Sequence, residues 1–111
     1  MDHQLRIYTV APGRLDDFLA LWRDHVVPAR RAHGFEVVSA YVNRETSEFS
    51  WVVRHPDDFA AADERYYASP ERAALPWDPK DALTSVELRM FEAVALPRHP
   101  SRPAAHRRAP E

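Results

Sequence analysis

The hydrophobic periodicity of this chain changes in a fixed order along the sequence, and that order restricts the folds open to it. Apolar residues alternate over residues 4–10, recur every three or four positions over 15–29, and alternate again over 35–43 and 49–53. Helical spacing then returns, before a last alternating segment at 84–93. Alternation is typical of strands and three- or four-residue spacing of helices. The sequence therefore predicts the order strand, helix, strand, strand, helix, strand.

Proline and glycine mark the ends of these segments. Pro12, Pro56 and Pro70 each stand where a helix is predicted to begin, a position that tolerates the missing backbone N–H. Gly34 is placed to end the first helix, because glycine readily adopts the left-handed conformation found there. Pro28 is predicted to kink that helix or to end its first part.

Four strands, with one helix after the first and one after the third, predict an α+β sandwich with a four-stranded antiparallel sheet and helices on one face. The apolar set predicted to face the helices is Leu5, Ile7, Phe49, Trp51, Val53, Val86, Leu88 and Met90. The opposite face is predicted to carry Arg6, Tyr8, Val10, Val52, Arg54, Glu87, Arg89 and Phe91.

The second face mixes arginine, tyrosine and apolar side chains, a composition typical of protein interfaces. We therefore expect a homodimer through the sheet face that bears Arg6, Tyr8, Arg54, Glu87 and Arg89. Arg6 and Glu87, on adjacent predicted strands, are expected to pair.

Composition limits the remaining possibilities. The chain has 111 residues, which predicts one domain over residues 1–96, followed by a disordered basic tail rich in Pro, Arg and Ala over 97–111. It has no cysteine, which excludes disulfides and thiolate-bound metals, and its net charge of −2 does not favour nucleic acid. Neither a secretory signal nor a bilayer-length apolar run is visible, so the expected compartment is the cytoplasm, without membrane partners.

Three segments, taken in order, form a recognisable combination: Leu5-Arg6-Ile7-Tyr8 with the following Pro12-Gly13, Phe18 and Trp22, then the run Arg65-Tyr66-Tyr67-Ala68-Ser69-Pro70-Glu71-Arg72, then Glu87-Leu88-Arg89-Met90. Together they resemble NIPSNAP-like proteins. The resemblance covers residues 4–94 and implies a ferredoxin-like βαββαβ protomer of the dimeric α/β-barrel superfamily, which also holds antibiotic-biosynthesis monooxygenases. It also implies a homodimer with facing sheets and a ligand pocket between sheet and helices.

His25 is the first candidate for chemistry. It follows Trp22 by three residues and Phe18 by seven, so regular helical spacing predicts that it shares their buried face. An imidazole in an apolar cleft is suited to general acid–base catalysis because its pKa lies near neutrality. The alternative is a histidine at the edge of the core, bonded to a backbone carbonyl.

Aromatic residues supply the other candidates. Tyr66 continues the stripe of the second helix, and its hydroxyl is predicted to bind a ligand oxygen or to stabilise an enolate, or else simply to pack. Substrate contacts are predicted for four aromatic side chains, with plain core packing as the alternative for the first two: Trp22, Trp51, Tyr67 and Trp77.

Three functional hypotheses follow. The first is a small-molecule-binding protein acting as a cofactor-independent enzyme, which oxygenates, cyclises or isomerises a hydrophobic or aromatic, polyketide-like substrate. The second is a non-catalytic homodimer that binds a ligand or a protein. A haem-binding relative, with His25 as axial ligand, is a third. The sequence has no phosphate loop, dinucleotide fingerprint or metal-ligand spacing, so no cofactor is predicted.

Overall fold

The computed structural model describes residues 2–98, and its elements follow the predicted order. The strands are β1 (Asp2–Val10), β2 (Glu36–Asn43), β3 (Glu48–Arg54) and β4 (Leu83–Glu92). The helices are α1 (Leu15–Leu21), α2 (Val27–Ala32), α3 (Phe59–Tyr67) and α4 (Pro70–Ala73), with a π-helical turn at Trp22–Val26 and a 3-10 turn at Pro79–Ala82. The tail was predicted for residues 97–111, and its residues from 99 onward lie outside the described part of the chain.

The strands form one antiparallel sheet in the order β2-β3-β1-β4. The helices cover one face, where a cluster of aromatic and aliphatic side chains forms the core. Its aromatic rings meet mainly edge to face, as at Tyr8 and Phe18, Phe18 and Phe49, and Trp22 and Trp51. This arrangement confirms the predicted α+β class and the ferredoxin-like sandwich.

The predicted orientation of β1 is wrong. Arg6 lies opposite Trp51 and Tyr8 opposite Phe49 on β3, so Arg6 and Tyr8 point toward the helices. Leu5 and Ile7 point to the other face and are half-buried. The prediction compared only the apolar content of the two faces of β1. It missed that the aliphatic stem of an arginine can pack on an indole while its guanidinium forms hydrogen bonds with polar groups.

The pair predicted between Arg6 and Glu87 is absent for the same reason. Directly opposite residues share a face, and Glu87 lies opposite Ile7, on the face turned away from the helices. There Glu87 pairs with Arg89 of its own strand. Val86, Leu88 and Met90 do point to the helix side, as predicted, but each is about half exposed because β4 is an edge strand.

A π-helical turn changes the phase of the first helix. The Val27 N–H donates to the Trp22 carbonyl, five residues earlier, instead of to a carbonyl four residues earlier. Phe18 is buried before this turn, Val26 is buried at its end, and Arg30 is buried after it. Pro28 falls in the first turn of α2, where its missing N–H is tolerated.

The same turn decides the position of His25. The prediction carried α-helical spacing from Phe18 through to His25, but the extra residue in the π turn breaks that spacing. His25 is exposed, between Trp22 and the buried Val26. The prediction that His25 shares the buried face is therefore wrong.

Candidate functional site

Two arginines are buried between the sheet and the helices. Arg6 of β1 is 4% exposed and Arg30 of α2 is 1% exposed, although arginine is seldom fully buried. Their guanidinium carbons lie 5.5 Å and 5.7 Å from the ring centroid of Trp51, so both charges rest on one indole. Alternation along β1 turns the Arg6 side chain inward, and helical spacing in α2 does the same for Arg30, so two residues that are distant in sequence meet here.

Arg6 makes all its side-chain hydrogen bonds to neutral groups. Its Nε donates to the Tyr8 hydroxyl at 2.6 Å, Nη1 to Gln4 Oε1 at 2.5 Å, and Nη2 to the Tyr67 hydroxyl at 2.9 Å. Within residues 2–98 it forms no salt bridge. Burial opposes its charge, but the nearby oxygens of Tyr8 and Tyr67 outweigh burial and keep the guanidinium pKa above its ordinary value. Arg6 is thus a buried, fully charged group.

Arg30 is held differently, by a carboxylate and by aromatic rings. Its Nη1 donates to Asp63 Oδ1 at 2.6 Å. Its guanidinium carbon lies 4.1 Å from the ring centroid of Tyr66 and 4.7 Å from that of Phe35. Its buried Nε has no hydrogen-bond partner among residues 2–98. Asp63 therefore balances the charge of Arg30.

Tyr67 closes the space above the two arginines. Its hydroxyl accepts from Arg6 and, at 3.4 Å, from Arg30 Nη2. The guanidinium carbon of Arg72 and the ammonium nitrogen of Lys80 each lie 5.3 Å from its ring centroid. Four cations therefore surround one phenol.

These side chains line a cavity of about 40 Å³, which we call the Arg6 pocket. Three tyrosines, three arginines, the lysine and three apolar residues form its walls: Arg6, Tyr8, Arg30, Tyr66, Tyr67, Arg72, Pro79, Lys80, Leu83 and Val86. The apolar residues come from the 3-10 turn and from β4. The pocket therefore combines a charged floor with an apolar side.

The Arg6 pocket carries an excess of positive charge. Asp63 pairs with Arg30, and Asp78 pairs with Arg72 at 3.0 Å. The pKa of Asp78 is lowered, first by the Lys80 backbone N–H and then by Arg72, so its carboxylate stays ionised. Four cations less two carboxylates leave two positive charges, and salt-bridge partners within residues 2–98 are lacking for Arg6 and Lys80.

Tyr66 lies inside this pocket, as its place on the helical stripe predicts. It is 1% exposed. Burial raises its pKa, an effect that the nearby Arg30 opposes. Tyr66 is therefore a neutral phenol at physiological pH, able to donate a hydrogen bond.

The other predicted site residues divide into two groups. Trp51 is buried beneath the two arginines, and Trp22 packs against it with ring centroids 5.5 Å apart. Trp77 and His25 instead line a separate surface depression of about 260 Å³, together with Asp17 and Asp24. His25 and Tyr66 therefore do not converge, and the catalytic role of His25 stays a prediction without a place in the Arg6 pocket.

Sequence reasoning missed Arg6, Arg30, Arg72 and Lys80 as parts of one site. One signal was available for Arg30, which follows Val26 by four residues and so extends the apolar stripe of the first helix with a charge. A charged residue on an apolar stripe indicates a buried, partnered group. Arg72 and Lys80 stand in short segments whose path the sequence pattern does not fix.

We find neither a metal-binding cluster nor a membrane-spanning helix in the described part of the chain. Within residues 2–98, no group of three or more His, Asp or Glu side chains could hold a metal ion. No helix in that range is long and apolar enough to cross a bilayer.

Comparison with solved structures gives the relatives of this fold. A NIPSNAP domain protein from Burkholderia xenovorans is 17% identical, with a TM-score of 0.74 over 89% of this chain and 100% of that one. A NIPSNAP family protein from Agrobacterium tumefaciens is 15% identical, with a TM-score of 0.74 over 84% and 92%. A putative antibiotic biosynthesis monooxygenase from Bacteriodes thetaiotaomicron is 21% identical, with a TM-score of 0.64 over 86% and 89%.

These similarities concern architecture. No family model matches the sequence, and no curated protein matches it. The solved structures share the sandwich over nearly all the described residues at identities that establish the fold alone. The resemblance read from the sequence is thus confirmed in structure: this chain has the ferredoxin-like fold of NIPSNAP domain proteins, which it shares with antibiotic biosynthesis monooxygenases.

Proposed function

We propose that this protein binds a small organic acid in the Arg6 pocket. The observation that carries the proposal is that Arg6 is 4% exposed and has three neutral hydrogen-bond partners but no salt bridge to a carboxylate within residues 2–98. A buried charge is costly unless an opposite charge compensates it. A carboxylate, enolate or phenolate oxygen beside Arg6 would supply that charge.

The pocket walls indicate the rest of the ligand. Leu83, Val86 and Pro79 form an apolar part of the wall, while Tyr8 and Tyr66 contribute aromatic rings. Ligand sites commonly combine apolar walls with a few polar groups that fix orientation. The ligand is therefore a hydrophobic or aromatic body with one acidic oxygen.

A matched pair of ligands tests this proposal. Benzoate and benzamide have nearly the same shape, but only benzoate is charged. Calorimetric titration should show benzoate binding at least about tenfold more tightly than benzamide, with an affinity that falls as salt is added. Equal affinities for the two compounds, or binding of neither, would refute the proposal.

The same site supports a cofactor-independent reaction as a second candidate function. Oxygenation by dioxygen, cyclisation or isomerisation of a polyketide-like substrate begins with an enolate: a carbon-bound proton passes to solvent water, and the electron pair left behind places negative charge on an oxygen. Arg6 is a fixed cation and Tyr66 a neutral phenol, and donors held toward a developing oxyanion lower the barrier to its formation. Some solved structures of the same fold are named as antibiotic biosynthesis monooxygenases, which agrees with such chemistry.

Exchange of substrate hydrogens into heavy water distinguishes catalysis from binding alone. A cyclic 1,3-diketone analogue should exchange its acidic hydrogens faster with this protein than without it, and Tyr66→Phe should reduce that enhancement. If saturating protein does not change the exchange rate, the catalytic hypothesis is rejected and the protein is a non-catalytic binding module.

We also propose that a second copy of the chain covers the sheet face turned away from the helices. That face carries Leu5, Ile7 and Val52, all half-buried, with Tyr41 68% exposed and Phe91 50% exposed. An apolar depression of about 280 Å³ lies on it, lined in part by Leu5, Ile7 and Tyr41. Exposed apolar patches of this kind are typical of interfaces.

Of the residues predicted for this interface, Arg54, Glu87 and Arg89 lie on the proposed face, whereas Arg6 and Tyr8 do not. Sedimentation equilibrium tests the arrangement with Ile7→Glu, which places a charge in the proposed interface. We expect a dimer that Ile7→Glu converts to monomer and that Ala73→Glu, on the exposed surface of α4, leaves intact. A monomer before any substitution would refute this arrangement.

A further inference from the structure

Tyr67 already occupies the position in which the proposed ligand would bind. Its hydroxyl accepts hydrogen bonds from Arg6 at 2.9 Å and from Arg30 at 3.4 Å. Its ring is flanked by Arg72 and Lys80, each 5.3 Å from the centroid. An aromatic ring with one oxygen thus meets every cation of the Arg6 pocket.

The volume left beside Tyr67 does not admit an organic ligand. About 40 Å³ is free, which suffices for a few water molecules, whereas ligand pockets commonly measure about 300–1,000 Å³. A ligand must therefore displace a wall of the pocket before it can reach Arg6.

The walls differ in how easily they move. Arg6, Arg30 and Tyr66 are at most 4% exposed, so displacing any of them would open the core. Tyr67 is 37% exposed and ends α3. Rotation of the Tyr67 side chain into solvent would vacate the centre of the pocket and leave Arg6 bonded to Gln4 and Tyr8.

We propose that Tyr67 is a displaceable plug and that the ligand is a monocyclic aromatic acid or phenol that replaces it. This inference rests on the proposed function, because it names the chemical class of the ligand bound there. The incoming oxygen takes the hydrogen bonds that Arg6 and Arg30 now donate to the Tyr67 hydroxyl. The incoming ring takes the place between Arg72 and Lys80.

Removal of the plug gives a direct test. The full chain with Tyr67→Ala should bind benzoate and 4-methylphenol about tenfold or more tightly than the unsubstituted protein, because no closed state then competes with the ligand. Cyclohexanecarboxylate, which has the acid but no aromatic ring, should gain less than benzoate. Arg65→Ala, at an exposed residue of the same helix that does not line the Arg6 pocket, is the control and should leave both affinities unchanged.

The outcomes separate this inference from the proposed function. If the unsubstituted protein binds benzoate in preference to benzamide, but Tyr67→Ala binds benzoate no more tightly, the plug is refuted and the acid site stands. If neither protein binds an acid, both are refuted. If Tyr67→Ala binds benzoate and 4-methylphenol more tightly than the unsubstituted protein and the control variant does not, the plug is supported.

A second measurement uses the chain without removing the plug, in case Tyr67→Ala does not fold. Tyrosine labelled with fluorine gives one resonance per ring, and the Tyr67→Phe variant identifies that of Tyr67. Saturating benzoate should move the Tyr67 resonance toward the position of exposed tyrosine and sharpen it, while the Tyr66 ring stays buried. A Tyr67 resonance that keeps its position when benzoate is bound would overturn the inference.

Discussion

Replacing Arg6 by methionine should remove acid binding while preserving the fold. Methionine is unbranched and flexible, so it can follow the path of the arginine stem across Trp51. A hydrogen bond to a charged group contributes about 1.5–3 kcal/mol, and about 1.4 kcal/mol corresponds to tenfold in Kd. Arg6→Met should therefore weaken benzoate binding by about 10- to 150-fold and leave benzamide binding nearly unchanged.

The stability of the variant follows from two opposing effects. Arg6→Met removes three hydrogen bonds, to Tyr8, Gln4 and Tyr67, but it also removes a buried charge that has no salt bridge within residues 2–98. Replacement of a buried ion by an apolar side chain is often neutral or stabilising. We expect the free energy of unfolding to change by less than about 2 kcal/mol.

Calorimetric titration with benzoate, together with urea denaturation, measures both quantities. Arg23→Met is the matched control, because the Arg23 side chain is 68% exposed and does not line the Arg6 pocket. Arg6→Lys keeps the charge and should bind benzoate with intermediate affinity. The reasoning fails if folded Arg6→Met binds benzoate as tightly as Arg23→Met does.

Three further predictions concern other parts of the structure. Asp63→Asn should lower the free energy of unfolding by about 2–4 kcal/mol, because it leaves a buried guanidinium without its carboxylate, whereas Asp16→Asn in an exposed pair should cost under about 1 kcal/mol in the same urea titration. Because burial raises the pKa of Tyr66, the folded state favours the neutral phenol; its stabilising contribution is complete below the pKa of an unfolded tyrosine and is lost as pH rises through the folded value. Tyr66→Phe should therefore reduce the alkaline loss of stability, and an identical pH profile above about pH 10 would contradict this. Gly34→Ala should destabilise more than Gly13→Ala in thermal denaturation: both glycines have a positive φ, but only at Gly34 would the new Cβ meet a histidine ring, at 2.9 Å.

The order of the elements and the sheet topology could be predicted because each depends on local spacing. Alternation and helical periodicity are properties of a few neighbouring residues, and short connections leave few ways to arrange four strands and two helical segments. The turn between β2 and β3 and the position of Pro70 at the start of α4 agree with those predictions, whereas Pro12 and Pro56 each stand three residues before α1 and α3 begin. The pattern therefore predicted the order of the elements and the α+β sandwich, and the resemblance implied the ferredoxin-like arrangement.

The orientation of β1 could not be predicted from alternation, because both of its faces bear large side chains. Leu5 and Ile7 lie on the face that we propose a partner covers, so their apolarity does not mark the core of the protomer. Arg6 and Tyr8 lie inward because Trp51 and Tyr67 give them packing and hydrogen bonds. Those partners are distant in sequence, and the prediction accordingly placed the central residue of the candidate site on the wrong face.

The π turn explains the other error. Nothing in the residues of Trp22–Val26 distinguishes an i+5 hydrogen bond from the ordinary i+4 pattern. Its effect is large because it moves His25 to the surface and brings Arg30, two residues after Pro28, into the core. Tyr66 was placed correctly because α3 is a regular helix with Asp58 as its cap.

The most direct test of the acid site is a crystal structure of the full chain grown with 4-bromobenzoate. Anomalous scattering from bromine locates the ring independently of the protein phases. The account predicts bromine between the sheet and the helices, with the carboxylate within hydrogen-bond distance of the Arg6 guanidinium and Tyr67 turned outward. Bromine found only on the opposite sheet face or in the depression beside His25, with the Arg6 pocket still closed by Tyr67, would contradict it.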